Sequence, residues 1–265
     1  MLKKIRNYII VIVLIALYLW TQNNIIEIEK IEIDEDEISN EIIIAHISDV
    51  HIPRNGPSID SILEKLRDIK PDLILTTGDI VDSSCDIANS QLGVFAKGLS
   101  EIAPTYGISG NHDRWNRNRE LWYKIMTESN NIILENSGEV VRIKDQDIFL
   151  IGVKDGYSFT SEGIPEKIKN RNIPKILMIH RPNEYKYDNM DISLILAGHN
   201  HGGQVRIPFI NQGILSPERK LFTKYTSGLY ELENNEKLII SRGLGNSVIP
   251  VRIHNRPHIP IIILK

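Results

Sequence analysis

Five apolar runs in this sequence each end in a short group of residues that commonly bind metal ions. The runs are typical of buried strands, and the first two end in Asp49-Val50-His51 and in Gly78-Asp79. The other three end in Gly110-Asn111-His112-Asp113, in His180 and in Gly198-His199-Asn200-His201. In an open α/β sheet, ligands bind beyond the carboxyl ends of the strands, where side chains distant in sequence lie close together. The pattern therefore predicts an α/β fold with one polar site at the strand ends.

The residue types in these groups suit a site for two metal ions. An aspartate can bridge two cations through its two oxygens, while imidazoles and an amide carbonyl fill the other positions. Asp49 and His51 are two residues apart, as are His199 and His201, so each pair points to one side of a local strand. The groups contain no cysteine. Oxygen and imidazole ligands favour manganese, iron or zinc over a soft metal, and manganese is the metal we expect. Three histidines lie outside the groups and are interpreted as structural: His46, His254 and His258.

Hydrophobic periodicity assigns the remaining elements. Residues 25–34 nearly alternate between apolar and charged, which predicts a strand with Lys30 as a candidate bulge. Apolar residues at helical spacing predict a helix over Ser58–Lys70, ended by Pro71. Residues Tyr225–Arg242 are typical of a hairpin that turns at Asn234-Asn235. The five apolar runs are predicted as strands over 42–47, 73–75, 105–108, 175–179 and 192–196. Further helices are predicted over 89–101 and 119–129, and further strands over 132–134, 140–143, 148–153 and 259–264.

The N-terminus carries a basic cluster followed by an apolar run. Lys3, Lys4 and Arg6 precede Tyr8–Trp20, which as a helix spans roughly 20 Å against the ~30 Å of a bilayer core. With the basic side chains extending the span, the pattern predicts an uncleaved signal-anchor, a cytoplasmic N-terminus and a catalytic domain outside. A cleaved signal peptide, or a buried or peripheral helix, is the alternative. We therefore expect a membrane segment over residues 1–24 and a catalytic domain over 25–265.

Charge and cysteine content exclude some functions. Lys and Arg number 31 and Asp and Glu 34, a net charge of −3, which gives no sign of a nucleic-acid partner. The one cysteine, Cys85, excludes an intramolecular disulfide. Nothing in the sequence indicates an obligate protein partner.

The ordered motifs D-x-H, G-D-x-x-D, G-N-H-D, H and G-H-x-H resemble the calcineurin-like metallophosphoesterase superfamily over roughly residues 42–205. The longer ending Gly198–Pro208, together with the N-terminal segment, is similar to a bacterial membrane-associated branch. Some members of that branch cleave the pyrophosphate of UDP-2,3-diacylglucosamine. The soluble hydrolases of that compound carry arginine where this chain has His112, so the match is to the membrane branch.

The resemblance implies a four-layer α/β/β/α sandwich of two mixed sheets and a role for each motif residue. Asp79 would bridge two divalent cations, and His112 would protonate the leaving oxygen or stabilise its charge. Asp82 would orient His112, although it can also be interpreted as a helix N-cap before Ser83-Ser84. The implied ligands of one cation are Asp49, His51 and His201, and those of the other are Asn111, His180 and His199.

The implied activity is hydrolysis of a phosphodiester or pyrophosphate bond. We expect a phosphorylated small-molecule or lipid substrate, presented at a membrane and similar to UDP-2,3-diacylglucosamine. A protein or small-molecule phosphatase is an alternative. The protein phosphatases carry Arg-Gly after the second aspartate, whereas Asp82 is followed by Ser83-Ser84. A non-catalytic scaffold is a further alternative, against which no expected ligand is missing.

Overall fold

The fold is built on two six-stranded mixed sheets. The computed structural model describes residues 1–53, 55–157, 165–169, 171–182, 192–210, 212–232, 236–246 and 250–265. The predicted hairpin turn at Asn234-Asn235 lies outside the described residues, while the two strands that flank it are described.

The first sheet carries three of the five strand-end groups. Its strands are β1 (Glu27–Ile33), β2 (Ile42–Ile47), β3 (Leu73–Thr76), β4 (Thr105–Gly107), β5 (Asn131–Ile133) and β12 (His258–Leu264). Their order is β1-β12-β2-β3-β4-β5, and β2 to β5 run parallel. Since β1 pairs with β12 residue for residue from Glu27 to Ile33, the expected bulge at Lys30 is wrong. A regular ladder on this edge satisfies the backbone groups that a bulge would leave unpaired.

The second sheet carries the other two groups. Its strands are β6 (Ser137–Ile143), β7 (Gln146–Gly152), β8 (Lys175–Met178), β9 (Leu194–Ala197), β10 (Gly228–Glu231) and β11 (Lys237–Ile240). Their order is β10-β11-β9-β8-β7-β6, with β7, β8, β9 and β11 parallel and an antiparallel strand at each edge. The antiparallel pairing of β10 with β11 confirms the predicted hairpin.

Six α-helices lie among the described residues: α1 (Leu2–Asn24), α2 (Ile59–Ile69), α3 (Leu92–Ile102), α4 (Asn111–Trp115), α5 (Arg119–Glu128) and α6 (Glu166–Lys169). Short 3₁₀ turns at Ile87–Asn89 and His201–Gly203 are described as well. The hydroxyl of Ser58 caps α2 by accepting a hydrogen bond from the N–H of Ser61. At the other end Lys70 adopts a left-handed conformation and Pro71 follows, which ends the helix as predicted. The short α4 had no apolar periodicity and was not predicted.

The apolar core has three layers. Side chains of α2, α3 and α5 pack on the outer face of the first sheet, and a second cluster fills the space between the two sheets. A third cluster covers the outer face of the second sheet and includes Ile168 of α6. The two mixed sheets and one helical layer of the expected sandwich are therefore present. Among the described residues, the second helical layer consists of α6 alone.

The N-terminal helix α1 confirms the predicted helix and extends beyond its apolar run at both ends. Its last two turns are attached to the domain, since Tyr18 packs against His254 and Asn23 accepts a hydrogen bond from the N–H of Arg252. The predicted membrane crossing is not confirmed: within the described part of the chain, no helix combines the length and apolar character needed to cross a bilayer.

Candidate metal centre

All seven candidate ligands lie buried together at the carboxyl ends of both sheets. Asp49 follows β2 by two residues and Asp79 follows β3 by three. Asn111 opens α4 after β4, which brings its side chain to the same end of the sheet. His180 follows β8, and His199 and His201 follow β9. The structure therefore brings together the seven residues that were expected beyond the carboxyl ends of the strands.

The first group of candidate ligands consists of Asp49, His51 and His201. The Nε2 atoms of the two histidines lie 3.0 Å apart, and His201 Nε2 lies 3.4 Å from Oδ1 of Asp49. One potential ligand atom from each residue lies within 4.8 Å of the others. Three buried donors that converge in this way can hold one cation.

The second group consists of Asp79, Asn111, His180 and His199. His180 Nε2 lies 3.1 Å from Oδ1 of Asn111 and 3.2 Å from Nδ1 of His199. The Oδ2 atom of Asp79 lies 3.2 Å from His180 Nε2 and 3.7 Å from His51 Nε2. Asp79 therefore stands between the two groups.

The backbone at the site is held in an uncommon conformation. Outside glycine, a positive φ is rare and concentrates where function requires it. Five of the seven candidate ligands have φ between 46° and 68°: Asp49, His51, Asp79, His199 and His201. Sharp turns directly after the strands thus direct these side chains toward one another.

Two glycines permit the close packing around the aspartates. A Cβ atom on Gly110 would overlap Oδ1 of Asp79, and one on Gly198 would overlap Oδ2 of Asp49. Both aspartates are also fixed by backbone donors. The N–H of His112 donates to Asp79 at 2.7 Å, and that of His199 donates to Asp49 at 2.9 Å. The aspartates thus accept hydrogen bonds as carboxylates, the form that binds cations.

Charges in the site are strongly coupled. Burial opposes ionisation of Asp79, but His180 outweighs it and holds the pKa of Asp79 well below its usual range. Burial likewise opposes the charged form of His180, yet Asp79 raises the pKa of His180 to about 10. Burial and the nearby Asp79 raise the pKa of Asp113 to about 7. Burial and the neighbouring His51 lower the pKa of His201. The buried carboxylates thus attract positive charge to this end of the sheets.

His112 and Asp82 lie beside the candidate ligands. Nδ1 of His112 is 3.2 Å from Oδ2 of Asp82 and also 3.2 Å from the backbone nitrogen of Ser83. In the neutral ring Nδ1 accepts from the N–H of Ser83, whereas the protonated ring would donate from Nδ1 to the carboxylate of Asp82, the stronger partner. Burial opposes ionisation of Asp82, but His112, His51 and Ser84 keep its pKa well below the usual range. Ser84 donates to Asp82, yet no helix begins at Ser83-Ser84, so the N-cap interpretation is wrong.

Three residues near His112 were missed by sequence reasoning. Arg181 donates through Nε to Oδ1 of Asp155 at 2.8 Å, and its guanidinium lies 5.7 Å from the ring of Trp115. The Trp115 ring lies 5.8 Å from the ring of His112, and its side chain is exposed. Arg181 directly follows His180, and Trp115 closes the helix that Asn111 opens, so their positions in the sequence were the available signal.

Glu218 was also missed, and it contacts a candidate ligand directly. Its Oε1 atom lies 3.2 Å from Nε2 of His199, so that the opposite ring nitrogen, Nδ1, faces the second group. A carboxylate behind a ligating histidine fixes the ring and its tautomer. The backbone carbonyl of Thr77 does the same for Nδ1 of His180 at 2.7 Å.

The three remaining histidines lie away from the ligand groups. His46 is buried with Nε2 2.9 Å from Oγ1 of Thr77, and His258 is buried with Nε2 2.9 Å from Oε2 of Glu29. His254 is exposed and packs its ring against Tyr18.

The donor set fits divalent cations. Each group supplies at least one carboxylate and two imidazoles, and no cysteine is among them. The close approach of His51 and His201 through their Nε2 atoms is explained if both face a shared cation.

Two mixed sheets with such a cluster at their carboxyl ends define an α/β protein with a candidate metal centre. The family model for calcineurin-like phosphoesterases matches residues 42–203, and the chain belongs to this family. It is thus a phosphoester hydrolase.

Individual relatives agree with this assignment. The chain is 27% identical over 224 residues to the phosphodiesterase YaeI of Escherichia coli, with 83% of this chain and 80% of the relative covered. It is 30% identical over 239 residues to a zebrafish (Danio rerio) protein named as a transmembrane protein with a metallophosphoesterase domain. That match covers 83% of this chain and 52% of the zebrafish protein, so the chain spans about half of that relative.

A solved structure shows the same fold. The NAD nucleotidase of Haemophilus influenzae matches with a TM-score of 0.55 at 16% identity, over 78% of this chain. The match covers 45% of the nucleotidase.

Proposed function

We propose that this protein uses two divalent cations to hydrolyse a phosphodiester or pyrophosphate bond in a lipid-linked or otherwise membrane-presented substrate. The observation that carries the proposal is the position of Asp79 between the two ligand groups, 3.7 Å from His51 and 3.2 Å from His180. A carboxylate in this position can serve both groups at once.

The ligand assignments follow from the two groups. Asp49, His51 and His201 would hold one cation, Asn111, His180 and His199 would hold the other, and Asp79 would contribute to both. Two such cations neutralise phosphate oxygens and lower the pKa of a water nucleophile. The oxygen, amide and imidazole donors favour manganese, with iron or zinc as alternatives.

His112 would supply the proton to the departing oxygen. In the protonated ring Nδ1 would face Asp82, so Nε2 would be the atom that gives its proton to the substrate. The His112 side chain is 21% exposed, whereas the seven ligands are buried, so a substrate could reach His112 from solvent.

Helix α1 supports a membrane location. Its apolar side chains from Ile9 to Ile15 are all about half exposed, which leaves no polar face along this stretch. A helix that is apolar on every side requires an apolar environment, and Lys3, Lys4 and Arg6 would contact anionic headgroups. We propose that residues 1–24 hold the catalytic domain, residues 25–265, at the outer face of the cell membrane. The membrane-protein name of the zebrafish relative agrees with this.

Metal content and activity together test the function. The full chain should contain close to two equivalents of transition metal and hydrolyse bis(p-nitrophenyl) phosphate faster than the monoester. Asp79→Asn should lose most of the metal and the activity. Asp72→Asn is the matched control, since Asp72 precedes the same strand β3 at its opposite end and should retain both. A chain that binds no metal in either form would refute the proposal.

The location has its own test. Asp36 lies in the acidic segment that follows β1, and Asp36→Cys should react with an impermeant thiol reagent in intact cells. Labelling only after lysis would place the domain in the cytoplasm, with α1 as an interfacial anchor.

A further inference from the structure

The connection from β9 to β10 carries large apolar side chains exposed to solvent. Phe209 is fully exposed, and Ile210, Leu221 and Phe222 are 60%, 64% and 58% exposed. We call these four residues the apolar tips. Leaving several large apolar side chains in water is unfavourable, and four such side chains in one connection are a candidate binding surface.

Backbone pairing holds the tips in place. Arg206 pairs with Gly213, and Leu215 pairs with Leu221, both in antiparallel bridges. The N–H of Phe222 donates to the carbonyl of Ile214 at 3.0 Å. The connection is therefore a folded segment whose apolar side chains are directed outward.

The charges around the tips indicate what the surface binds. Arg219, Lys220 and Lys224 are exposed and flank Leu221-Phe222 on both sides. The acidic residue of the segment, Glu218, is directed toward His199 and Arg181, although Lys220 also reaches it at 3.0 Å. Apolar side chains flanked by cations suit an anionic bilayer surface, where the apolar groups enter the acyl boundary.

Two of the apolar tips, Phe209 and Ile210, lie near the carboxyl end of α1. They line a cleft of about 560 Å³ together with Gln22 of α1. Arg206 and Arg256 line the same cleft and bring positive charge to it, beside the acidic Glu27. A bilayer that receives the apolar part of α1 would therefore lie within reach of the tips.

We propose that Phe209, Ile210, Leu221 and Phe222 form a second membrane-contact surface, with Arg219 and Lys220 on anionic lipid headgroups. The proposal rests on the membrane location proposed above and deepens it. Glu218 contacts His199 of the metal centre, and Arg219 is the next residue in the chain. A bilayer that binds Arg219 would therefore lie beside the metal centre. We therefore expect the substrate to carry its phosphate ester at the level of the lipid headgroups.

An environment-sensitive dye on the full chain tests the contact. Cys85 is the only cysteine and is buried, so Phe222→Cys in a Cys85→Ala background gives one labelling site. Val94→Cys is the matched control, because Val94 is 56% exposed on α3, on the outer face of the first sheet. Vesicles of phosphatidylglycerol and of phosphatidylcholine, without any substrate, are the probes.

The dye at position 222 should shift to an apolar signal on phosphatidylglycerol vesicles, while the dye at position 94 should not. Arg219→Gln with Lys220→Gln should weaken binding to the anionic vesicles by about fivefold per removed cation. Lys65→Gln with Lys97→Gln, which removes two exposed lysines of α2 and α3, should have little effect.

An aqueous signal at position 222 while the chain is bound to vesicles would refute the proposal, as would equal shifts at both positions. A shift that depends on protein concentration without vesicles would instead assign the surface to contact with a second copy of the chain. Hydrolysis of bis(p-nitrophenyl) phosphate is measured without vesicles, so failure of the contact is distinguishable from failure of the enzyme.

Discussion

The backbone N–H of Asn255 donates a hydrogen bond to Oε1 of Gln22 at 3.1 Å, which joins the last turn of α1 to the metal centre. The side-chain amide of Asn255 donates to the carbonyl of His201 at 2.7 Å and to that of Gln204 at 3.2 Å. His201 belongs to the first ligand group. One buried asparagine therefore supports both the attachment of the N-terminal helix and the loop that carries a candidate ligand.

Replacing this asparagine should weaken metal binding. Asn255→Ala leaves the carbonyls of His201 and Gln204 without their donor, which should cost about 2 kcal/mol of the free energy of unfolding. With its loop loosened, His201 should bind its cation about tenfold to a hundredfold more weakly. Chelator competition followed by metal analysis measures this affinity.

A second buried asparagine provides the control. The amide of Asn131 donates to the carbonyls of Ala96, Met126 and Ser129, at the helical side of the first sheet. Asn131→Ala should lose comparable stability and keep its metal affinity. Equal losses of metal affinity in both variants would show that general destabilisation, not the support of His201, is responsible.

The sequence predicted the ligands because their positions follow a rule that is local to each strand. An apolar run that ends in Asp79 or His180 places that residue at the sheet edge, whatever the rest of the chain does. Glu218 and Asn255 follow no such rule, since each reaches its histidine from an irregular connection. Their contacts depend on how these connections fold back over the sheet ends.

For the secondary structure, too, local signals were predictable from the sequence and tertiary contacts were not. Periodicity located the strands and α2, whose Ser58 and Pro71 signal its ends. It could not locate α4, a single turn positioned by the hydrogen bonds that Asp113 accepts from the N–H groups of Val81 and Gly110 rather than by an apolar face. Alternation alone also suggested a bulge at Lys30, because pairing with β12 is a tertiary contact that the local sequence does not contain.

His112 should act on the leaving group. His112→Asn should lower kcat by about 10²–10⁴ on substrates with poor leaving groups, because the proton that Nε2 donates is lost. The decrease should be smaller for p-nitrophenyl esters, whose leaving group needs no proton. Metal content should stay unchanged, which metal analysis of the same samples checks. His112 can also approach His51 and Asp79, so loss of metal in this variant would reassign it as a ligand.

Glu218 should strengthen metal binding by the second ligand group through its contact with His199. Glu218→Gln keeps an oxygen that can accept from Nε2 but removes the charge, so metal affinity should fall by about tenfold. Lys220→Gln is the matched control, because it removes the 3.0 Å ion pair on Oε2 and leaves the His199 contact on Oε1. Titration of metal-free protein with Mn²⁺ compares the two variants. Equal affinities in both would mean that the carboxylate does not act through His199.

His46 should make folding sensitive to acid. Burial, reinforced by His258, lowers the pKa of His46 from 6.5 to about 3. As the pH falls below 6.5, the unfolded chain binds a proton at this position before the folded chain does. The free energy of unfolding should therefore decrease by up to about 1.4 kcal/mol per pH unit until the pH reaches about 3.

The variant His46→Gln removes this titration and keeps a polar group near Thr77. Denaturant unfolding between pH 7 and pH 4 should give a shallower pH dependence for the variant than for the unmodified chain. His258→Gln should also reduce the slope, but over a narrower range, because burial lowers the pKa of His258 only to about 4 while Glu29 opposes the shift. Parallel stability curves for His46→Gln and the unmodified chain would show that His46 binds its proton equally in both states.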